Sequence, residues 1–224
     1  MRFAAVETST EWCGVALYRD GEIACVERRA ANRHSELVLP FLQQLLREAR
    51  LGAGELDAIA FGAGPGSFTG LRIACGIAQG LALARGLPVL GISTLEAMAE
   101  ESGAPRVVAC LDARMREVYY AALEKRAGRW HEVVPAQCVA PERMTPHITP
   151  LETDWVGCGN GFAVYGNPGM ARLMPELHPT AMAVARLAAP RLAAGEGVDA
   201  AQAVPVYVRE KVAFTRAELD ERRP

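Results

Sequence analysis

The chain has 224 residues, half of them hydrophobic, and a formal net charge of -2. That is enough for one large core or two smaller ones, and the near balance of charge excludes the global positive field that non-specific nucleic-acid binding needs. No run of about 18 apolar residues exists to cross a membrane, and the N-terminus reaches Glu7 too soon for a signal peptide, so a cytoplasmic location is expected.

Arg2 to Glu7 reads as a first strand. Trp12 to Arg19 and Glu22 to Arg29 form a hairpin about Asp20-Gly21. His34 to Arg50 has helical periodicity through Leu37, Phe41, Leu45 and Leu46, with Pro40 predicting a kink or an initial turn and Gly52 and Gly54 ending it. Leu56 to Phe61 reads as a buried strand. It feeds Phe61-Gly-Ala-Gly-Pro-Gly-Ser-Phe-Thr-Gly-Leu-Arg72 and a helix from Thr69 to Arg85 that stops at Gly86. Pro88 to Ser93 is a fifth strand, and Thr94 caps a helix to Ser102, with Gly103 after it.

At Pro105 the pattern restarts. Arg106 to Asp112, Glu117 to Glu124, Trp130 to Val139 and Asp154 to Gly157 read as strands, the last leading into the turn Gly157 to Gly161. Thr180 to Ala194 is a helix interrupted at Pro190. Pro205 to Lys211 is extended, and Arg216 to Pro224 is charged and frayed. Two successive units that open with antiparallel strands and then add helices predict two related α/β lobes, 1–104 and 105–224.

The glycine-rich loop between a strand and a helix N-terminus has the form of a phosphate-binding device. Two specific versions fail. A Walker loop needs Lys and Ser/Thr after its last glycine, and the only lysines are Lys125 and Lys211. The dinucleotide fingerprint needs G-x-G-x-x-G, but the spacing here is Gly62-x-Gly64-x-Gly66. Nor is Ser67 in a G-x-S-x-G elbow. A tight strand–helix turn is the plainer reading.

The helix that follows carries small residues every four positions: Gly70, Ala74, Ala78 and Ala82, then Gly76, Gly80 and Ala84 one stripe over. Ile73, Ile77 and Leu81 form the ridge expected to pack on a sheet. Gly76 and Gly80 together cost about 2 kcal/mol of helix stability relative to alanine. Either close approach of a partner backbone or tight intramolecular packing would offset that cost.

Six cysteines, at 13, 25, 75, 110, 138 and 158, include no Cys-x-x-Cys pair. They read as small buried hydrophobes, not as disulfides or zinc ligands. The four histidines, 34, 131, 147 and 178, contain no i, i+3 or i+4 pair, so no metal site is expected. His34 reads as a capping or interface residue. Arg28, Arg29 and Arg33 form a small basic cluster that reads as a solvated face, with nucleic-acid phosphate as the alternative.

Glu7-Thr-Ser-Thr, Gly64-Pro-Gly-Ser-Phe-Thr-Gly-Leu-Arg72, Gly91-Ile-Ser-Thr-Leu95, Leu111-Asp-Ala-Arg-Met-Arg-Glu-Val-Tyr-Tyr120 and Pro205-Val-Tyr-Val-Arg209 closely resemble the bacterial TsaB (YeaZ) family. The matches run in family order from residue 3 to about 212. The resemblance implies an actin-like ATPase fold (ribonuclease H-like) with two related lobes. It implies a role in making N6-threonylcarbamoyladenosine at position 37 of tRNAs reading codons that start with A. In that pathway a synthase makes threonylcarbamoyl-adenylate, and the transferase TsaD moves the group to adenosine. The TsaB type is regarded as the non-catalytic partner of TsaD, and a small ATPase, TsaE, completes the complex. The resemblance also implies association through N-lobe helices, with TsaD or with a second copy when TsaD is absent. Leu37, Phe41, Thr69, Arg72, Ile73, Gly76, Gly80 and Leu83 are the residues expected at that interface; tRNA is touched only indirectly.

TsaD-like relatives hold a metal through H-x-x-x-H after the fifth strand. Those positions are Thr94 and Met98 here, so neither metal nor other cofactor is expected. Where catalytic relatives carry a second glycine-rich phosphate turn, this chain has Asp112-Ala-Arg-Met-Arg116. Glu7, Asp112 and Arg114 remain candidates for an anion or residual nucleotide cleft. Against the scaffold reading stands an enzyme: an actin-like-fold ATPase or the metallopeptidase suggested by the superfamily's older glycoprotease label.

Overall fold

A computed structural model describes residues 1–148 and 154–209, the side chains of 145–148 excepted. The expectations for His147, Lys211 and the tail 216–224 lie outside the described side chains and residues. Two five-stranded sheets organise the rest. The first comprises β1 (Arg2–Glu7), β2 (Trp12–Arg19), β3 (Glu22–Arg29), β4 (Ala58–Gly64) and β5 (Val89–Ser93), in the order β3-β2-β1-β4-β5. The second comprises β6 (Arg106–Arg114), β7 (Glu117–Arg126), β8 (Arg129–Val139), β9 (Val156–Cys158) and β10 (Arg172–Met174), in the order β10-β9-β6-β7-β8. Read from β6 outward, the second sheet repeats the first. Each has an antiparallel three-strand meander extended on its other side by parallel strands.

The period-2 pleat sorts β1 between two cores. Ala4 and Val6 face α1 (His34–Ala49) and α2 (Phe68–Leu83), whereas Phe3 and Ala5 face α6 (Ala181–Ala193). A helix from the end of the chain therefore covers a sheet built entirely before residue 104. The second sheet buries one face under α3 (Thr94–Ser102) through Leu95, Met98 and Ala99, and the other under Met144 of α4 (Pro141–Ile148) and Phe162 of α5 (Asn160–Tyr165). Since α3 also touches β4, β5 and α6, it is packed between the two sheets.

Local physics explains the boundaries. In α1, His34, Val38, Phe41, Leu42, Leu45 and Leu46 are buried at helical spacing. The helix runs through Pro40, on its exposed side, as one element. It stops at Arg50, which takes the left-handed conformation (φ 55°), one residue or more before the expected glycines. In α2 the N-cap is Ser67, whose hydroxyl accepts from Gly70 N at 3.4 Å. Ser93, not Thr94, caps α3, accepting from Glu96 N at 3.4 Å. Helices α4 and α5 and strand β10 had no clear sequence signal.

The expected ridge on α2 is displaced. Leu71, Ala74, Cys75, Ala78 and Ala82 are fully buried, while Ile73, Ile77 and Leu81 are only half-buried at the edge of the core. Small side chains, not the branched ones, let α2 lie close to the sheet. Gly70 marks the tightest point: a Cβ there would fall 1.9 Å from the Thr8 carbonyl oxygen. By contrast, nothing among the described residues lies within 4 Å of a Cβ at Gly76 or Gly80, and both residues are exposed. Intramolecular packing thus accounts for the first small-residue stripe and not for the second.

All six cysteines are free. Burial pushes the thiols of Cys13 and Cys110 up to about 12 and that of Cys25 to about 11, so these behave as apolar side chains. The face under α6 also holds a polar cluster. Glu7 Oε1 accepts from Ser9 N at 2.6 Å, and Oε2 is buried without a described partner. The carboxyl lies over Gly62, where a Cβ would fall 1.9 Å from it. Glu27 Oε1 meets His178 Nε2 at 2.9 Å, and the His178 ring stacks on Trp12 with centroids 4.3 Å apart. Burial opposes charging His178, but the Glu27 hydrogen bond and charge outweigh it and hold its pKa above the ordinary value.

Burial dominates at Glu7, raising its pKa from 4.5 to about 7 despite hydrogen bonding from Ser9. The folded state therefore holds a proton that the unfolded chain releases. Stability from this group is fully present below pH 4.5 and is lost as pH rises to about 7, an effect on the order of 3 kcal/mol. Glu7→Gln should leave urea unfolding near pH 4.5 almost unchanged and raise stability at pH 8 by about that amount. An equal effect at both pH values would contradict it. Thermal melts should likewise separate the two glycine stripes. Gly76→Ala should stabilise by about 1 kcal/mol through helix propensity, whereas Gly70→Ala should destabilise by about 1–3 kcal/mol through overpacking.

Candidate functional site

A cleft of about 360 Å³ opens between the ends of the two sheets. From the first sheet it is lined by the β1–β2 loop (Ser9, Thr10), His34 and the Pro65–Phe68 loop. From the second it is lined by Leu111 to Arg114, Tyr119 and Asn160. The segment Val206 to Arg209 closes one side.

The glycine loop is filled by its own chain. Ser67 N donates to Ser9 O at 2.7 Å, and Thr8 Oγ1 donates to Gly70 O at 2.8 Å. Gly70 N is taken by the Ser67 hydroxyl. Two N–H groups that a phosphate would use at a helix N-terminus are thus already bonded. His34 Nε2 meets Thr10 O at 2.9 Å, tying the same loop to the start of α1; the ring does not cap the helix.

On the opposite wall, β6 and β7 join through Met115 and Arg116, both left-handed (φ 56° and 60°), and Arg114 before them is left-handed too (φ 61°). Two positive-φ residues make the turn that twisted hairpins prefer, usually with Asn-Gly; here three non-glycine residues are held in it at a cost of order 1–3 kcal/mol each. Asp112, with its side chain 6% exposed, accepts from Tyr165 Oη at 3.1 Å and from Arg114 N at 2.8 Å, and pairs with Arg114 Nη1 at 3.1 Å. Arg114 is 86% exposed, so that ion pair contributes little.

The expected site residues therefore divide. Asp112 and Arg114 lie together on the cleft wall. Glu7 does not join them: it is 1% exposed, under α6 and outside the cleft, because the pleat turns its side chain to the Phe3–Ala5 face. Of the interface candidates, Thr69, Arg72, Gly76, Gly80 and Leu83 are exposed along one side of α2, and Leu83 is 74% exposed. Ile73 of α2 and Leu37 of α1 are half-buried, both packed against the core beneath. Phe41 is not on that surface. It is 5% exposed in the core, with the Arg28 guanidinium 5.4 Å above its ring. Arg29 lies over Trp12 and Arg33 pairs with Glu36 at 2.7 Å, so the basic cluster is engaged locally. Thr94 and Met98 are both fully buried. Among the described residues, no three His, Cys, Asp or Glu side chains are grouped to hold a metal ion, and no helix is long and apolar enough to cross a membrane.

Sequence reasoning gave no site role to Phe68, Tyr207 or Arg209. Arg72 Cζ sits 3.7 Å over the Phe68 ring, and its Nε donates to Tyr207 Oη at 3.1 Å. Arg209 Nη2 donates to Glu117 Oε2 at 2.6 Å and to Ala113 O at 3.0 Å. The signal was the alternation in Pro205-Val-Tyr-Val-Arg209, whose partners lie more than 90 residues away.

Comparison with known proteins accords with this geometry. The family model for TsaD, a tRNA N6-adenosine threonylcarbamoyltransferase, matches residues 25–214. The Escherichia coli (strain K12) protein named tRNA threonylcarbamoyladenosine biosynthesis protein TsaB is 37% identical over 226 residues, covering 96% of this chain and 98% of that one. The protein of the same name from Haemophilus influenzae is 36% identical over 227 residues, covering 95% of each. The structure of YeaZ from Pseudomonas aeruginosa superposes with a TM-score of 0.85 at 39% identity, covering 92% of this chain and 99% of that one. The repeated mixed sheets flanked by helices are the actin-like arrangement that the resemblance implied. The chain belongs to the TsaB (YeaZ) family, whose members carry the name tRNA threonylcarbamoyladenosine biosynthesis protein.

Proposed function

We propose that this chain is a non-catalytic cytoplasmic subunit that binds and activates a TsaD-type transferase in forming N6-threonylcarbamoyladenosine at position 37 of tRNAs reading codons that start with A. The observation that carries this reading is the solvent face of α2. Gly76 and Gly80 weaken the helix by about 2 kcal/mol relative to alanine, yet no described side chain packs where their Cβ atoms would be. Exposed Thr69, Arg72 and Leu83 and half-buried Ile73 border the same strip. A helix that is bare of side chains along one exposed line admits a second helix at short distance. In the free chain the same strip would pair with a second copy through a two-fold axis, since such an interface is self-complementary.

Residues 1–104, with α6 packed on the other face of their sheet, would present this face with Leu37 at its edge. Phe41 would support it from below. TsaE would join the assembled pair, and tRNA would meet the complex chiefly through the transferase. The occupied glycine loop and the glycine-free β6–β7 turn also favour a partner over an ATPase. The absence of an H-x-x-x-H pair at Thr94 and Met98 disfavours a metallopeptidase.

Gly80→Leu should leave the melting temperature of the free chain, measured at a dilution where wild type and variant are both monomeric, unchanged or slightly raised, because the site is open. It should weaken binding to the cognate transferase about 10- to 100-fold, the equivalent of about 1–3 kcal/mol of overpacking. Titration calorimetry reads the affinity, and unfolding of the free variant would place the stripe in the core and refute the assignment.

A reconstituted system of synthase, transferase, TsaE, ATP, threonine, bicarbonate and tRNA should make little modified adenosine without this chain. Asp112→Ala or Arg114→Ala should restore most of the activity. Removing a true general acid or base would cost on the order of 100-fold or more. A folded, transferase-binding Asp112→Ala variant that fails to support modification would mean that the cleft performs chemistry or holds an obligatory ligand.

A further inference from the structure

Residues 203–209 have no regular secondary structure, yet they are bonded at both ends. At the first sheet, Ala203 O accepts from Gln79 Nε2 at 2.8 Å and from Cys75 Sγ at 3.3 Å. Val206 N donates to Ala63 O at 2.7 Å. Tyr207 reaches α2, where its ring tilts against Phe68 at 5.5 Å and its hydroxyl accepts from Arg72. At the second sheet, Arg209 bonds Glu117 and the Ala113 carbonyl, with a longer contact to Arg114 O at 3.4 Å, and lies 5.6 Å over Tyr119. The segment therefore spans the cleft, bonded to elements on both of its walls.

The second anchorage has an electrostatic logic. Arg209 Nη2 meets the Ala113 carbonyl just before the left-handed run Arg114 to Arg116, the Arg114 carbonyl at its start and the Glu117 carboxylate just after it. Charge-assisted bonds of this kind are the strong ones. Arg209 is only 13% exposed, so it serves the turn rather than an outside partner. The first anchorage is different. Tyr207 is 47% exposed and Phe68 39%, and both adjoin Arg72 at the N-terminal end of the bare α2 strip.

We propose that residues 203–209 are a strap that couples the exposed face of α2 to the width of the cleft: Arg209 latches it to the β6–β7 turn, and the Tyr207–Phe68–Arg72 stack reports that latch to a partner on α2. This rests on the reading that α2 is the transferase-binding face. Latching fixes Tyr207, and Tyr207 fixes the Arg72 and Phe68 side chains on the surface. A partner that binds the fixed arrangement favours the latched strap, and by linkage the latched strap favours the partner by the same factor.

The test combines hydrogen–deuterium exchange with affinity for the cognate transferase, using the full chain. Arg209→Ala should speed exchange in residues 203–208 and in the 113–117 turn about tenfold or more, leave α6 and β1 unchanged, and weaken transferase binding by about 5-fold or more. In the wild-type chain, added transferase should slow exchange at the Val206 amide. Glu117→Gln, which keeps the arginine and removes the charge it meets, should act in the same direction, and it decides the matter if Arg209→Ala does not fold. A loosened strap with unchanged affinity overturns the coupling and leaves the docking face standing. Unchanged exchange in a folded Arg209→Ala chain overturns the latch. A wild-type chain that forms no complex with the transferase overturns the docking reading and the coupling with it.

Discussion

The contact on which the rest depends is the backbone approach of the β1–β2 loop to the start of α2. Thr8 and Ser9 bond Gly70 O and Ser67 N directly, and the Thr8 carbonyl lies where any side chain at 70 would be. Three consequences follow. The helix is drawn onto the sheet closely enough that its inner face must be Ala74, Ala78 and Ala82. Two N–H groups at the start of α2, those of Ser67 and Gly70, are used internally. And the orientation of α2 is set from one end, which leaves its outer face exposed at Gly76 and Gly80.

The two sheets show how one topology serves two ends. In the first, the β1–β2 connection is an open loop that folds back on α2. In the second, the equivalent β6–β7 connection is a two-residue turn, and the equivalent of α2 is the six-residue α5, whose Asn160 Oδ1 accepts from Asp112 N at 2.9 Å. The shortened turn needs left-handed residues and supplies no glycine for them. What holds it is Arg209, whose Nη2 meets Ala113 O, Arg114 O and Glu117 Oε2. This part of the cleft wall is an attachment point for the chain's own segment.

Much of this was legible in the sequence, and the losses have identifiable causes. The β1–β2–β3 meander could be read because alternation and an Asp-Gly turn act locally, and the strands β6, β7 and β8 because their patterning too is local. The glycine block was recognisable as a close-approach turn. The two stripes of α2, however, look alike in one dimension. Only the packing shows that Gly70 to Ala82 meets the sheet while Gly76 and Gly80 meet solvent. Phe41 was misplaced for the same reason, since an aromatic residue at helical spacing does not declare how deep it lies. Glu7 was placed in the cleft because it ends the first strand, but the pleat, not the position along the strand, decides the face. Short elements such as α5 and β10 have too few residues to carry a period; Phe162 of α5 and Leu173 of β10 are held in the cluster that contains Cys110 and Tyr120. Arg209 was invisible as a latch because its partners lie far away in sequence.

The two glycines that face solvent give the last step. In the free chain they lower helix stability by about 2 kcal/mol against total stabilities of only about 5–15 kcal/mol for ordinary domains. Nothing among the described residues offsets that loss. A cost of this size is tolerated readily if the chain spends its time bound, because a partner that binds only the folded form adds stability by mass action. On the proposed reading the glycines weaken the isolated chain and strengthen the complex. Their exposure is then a property of a subunit and not of a self-sufficient domain. It also explains why the same helix combines a densely packed inner stripe with a bare outer one. The inner stripe must specify the fold before any partner arrives, whereas the outer stripe acts only after it does.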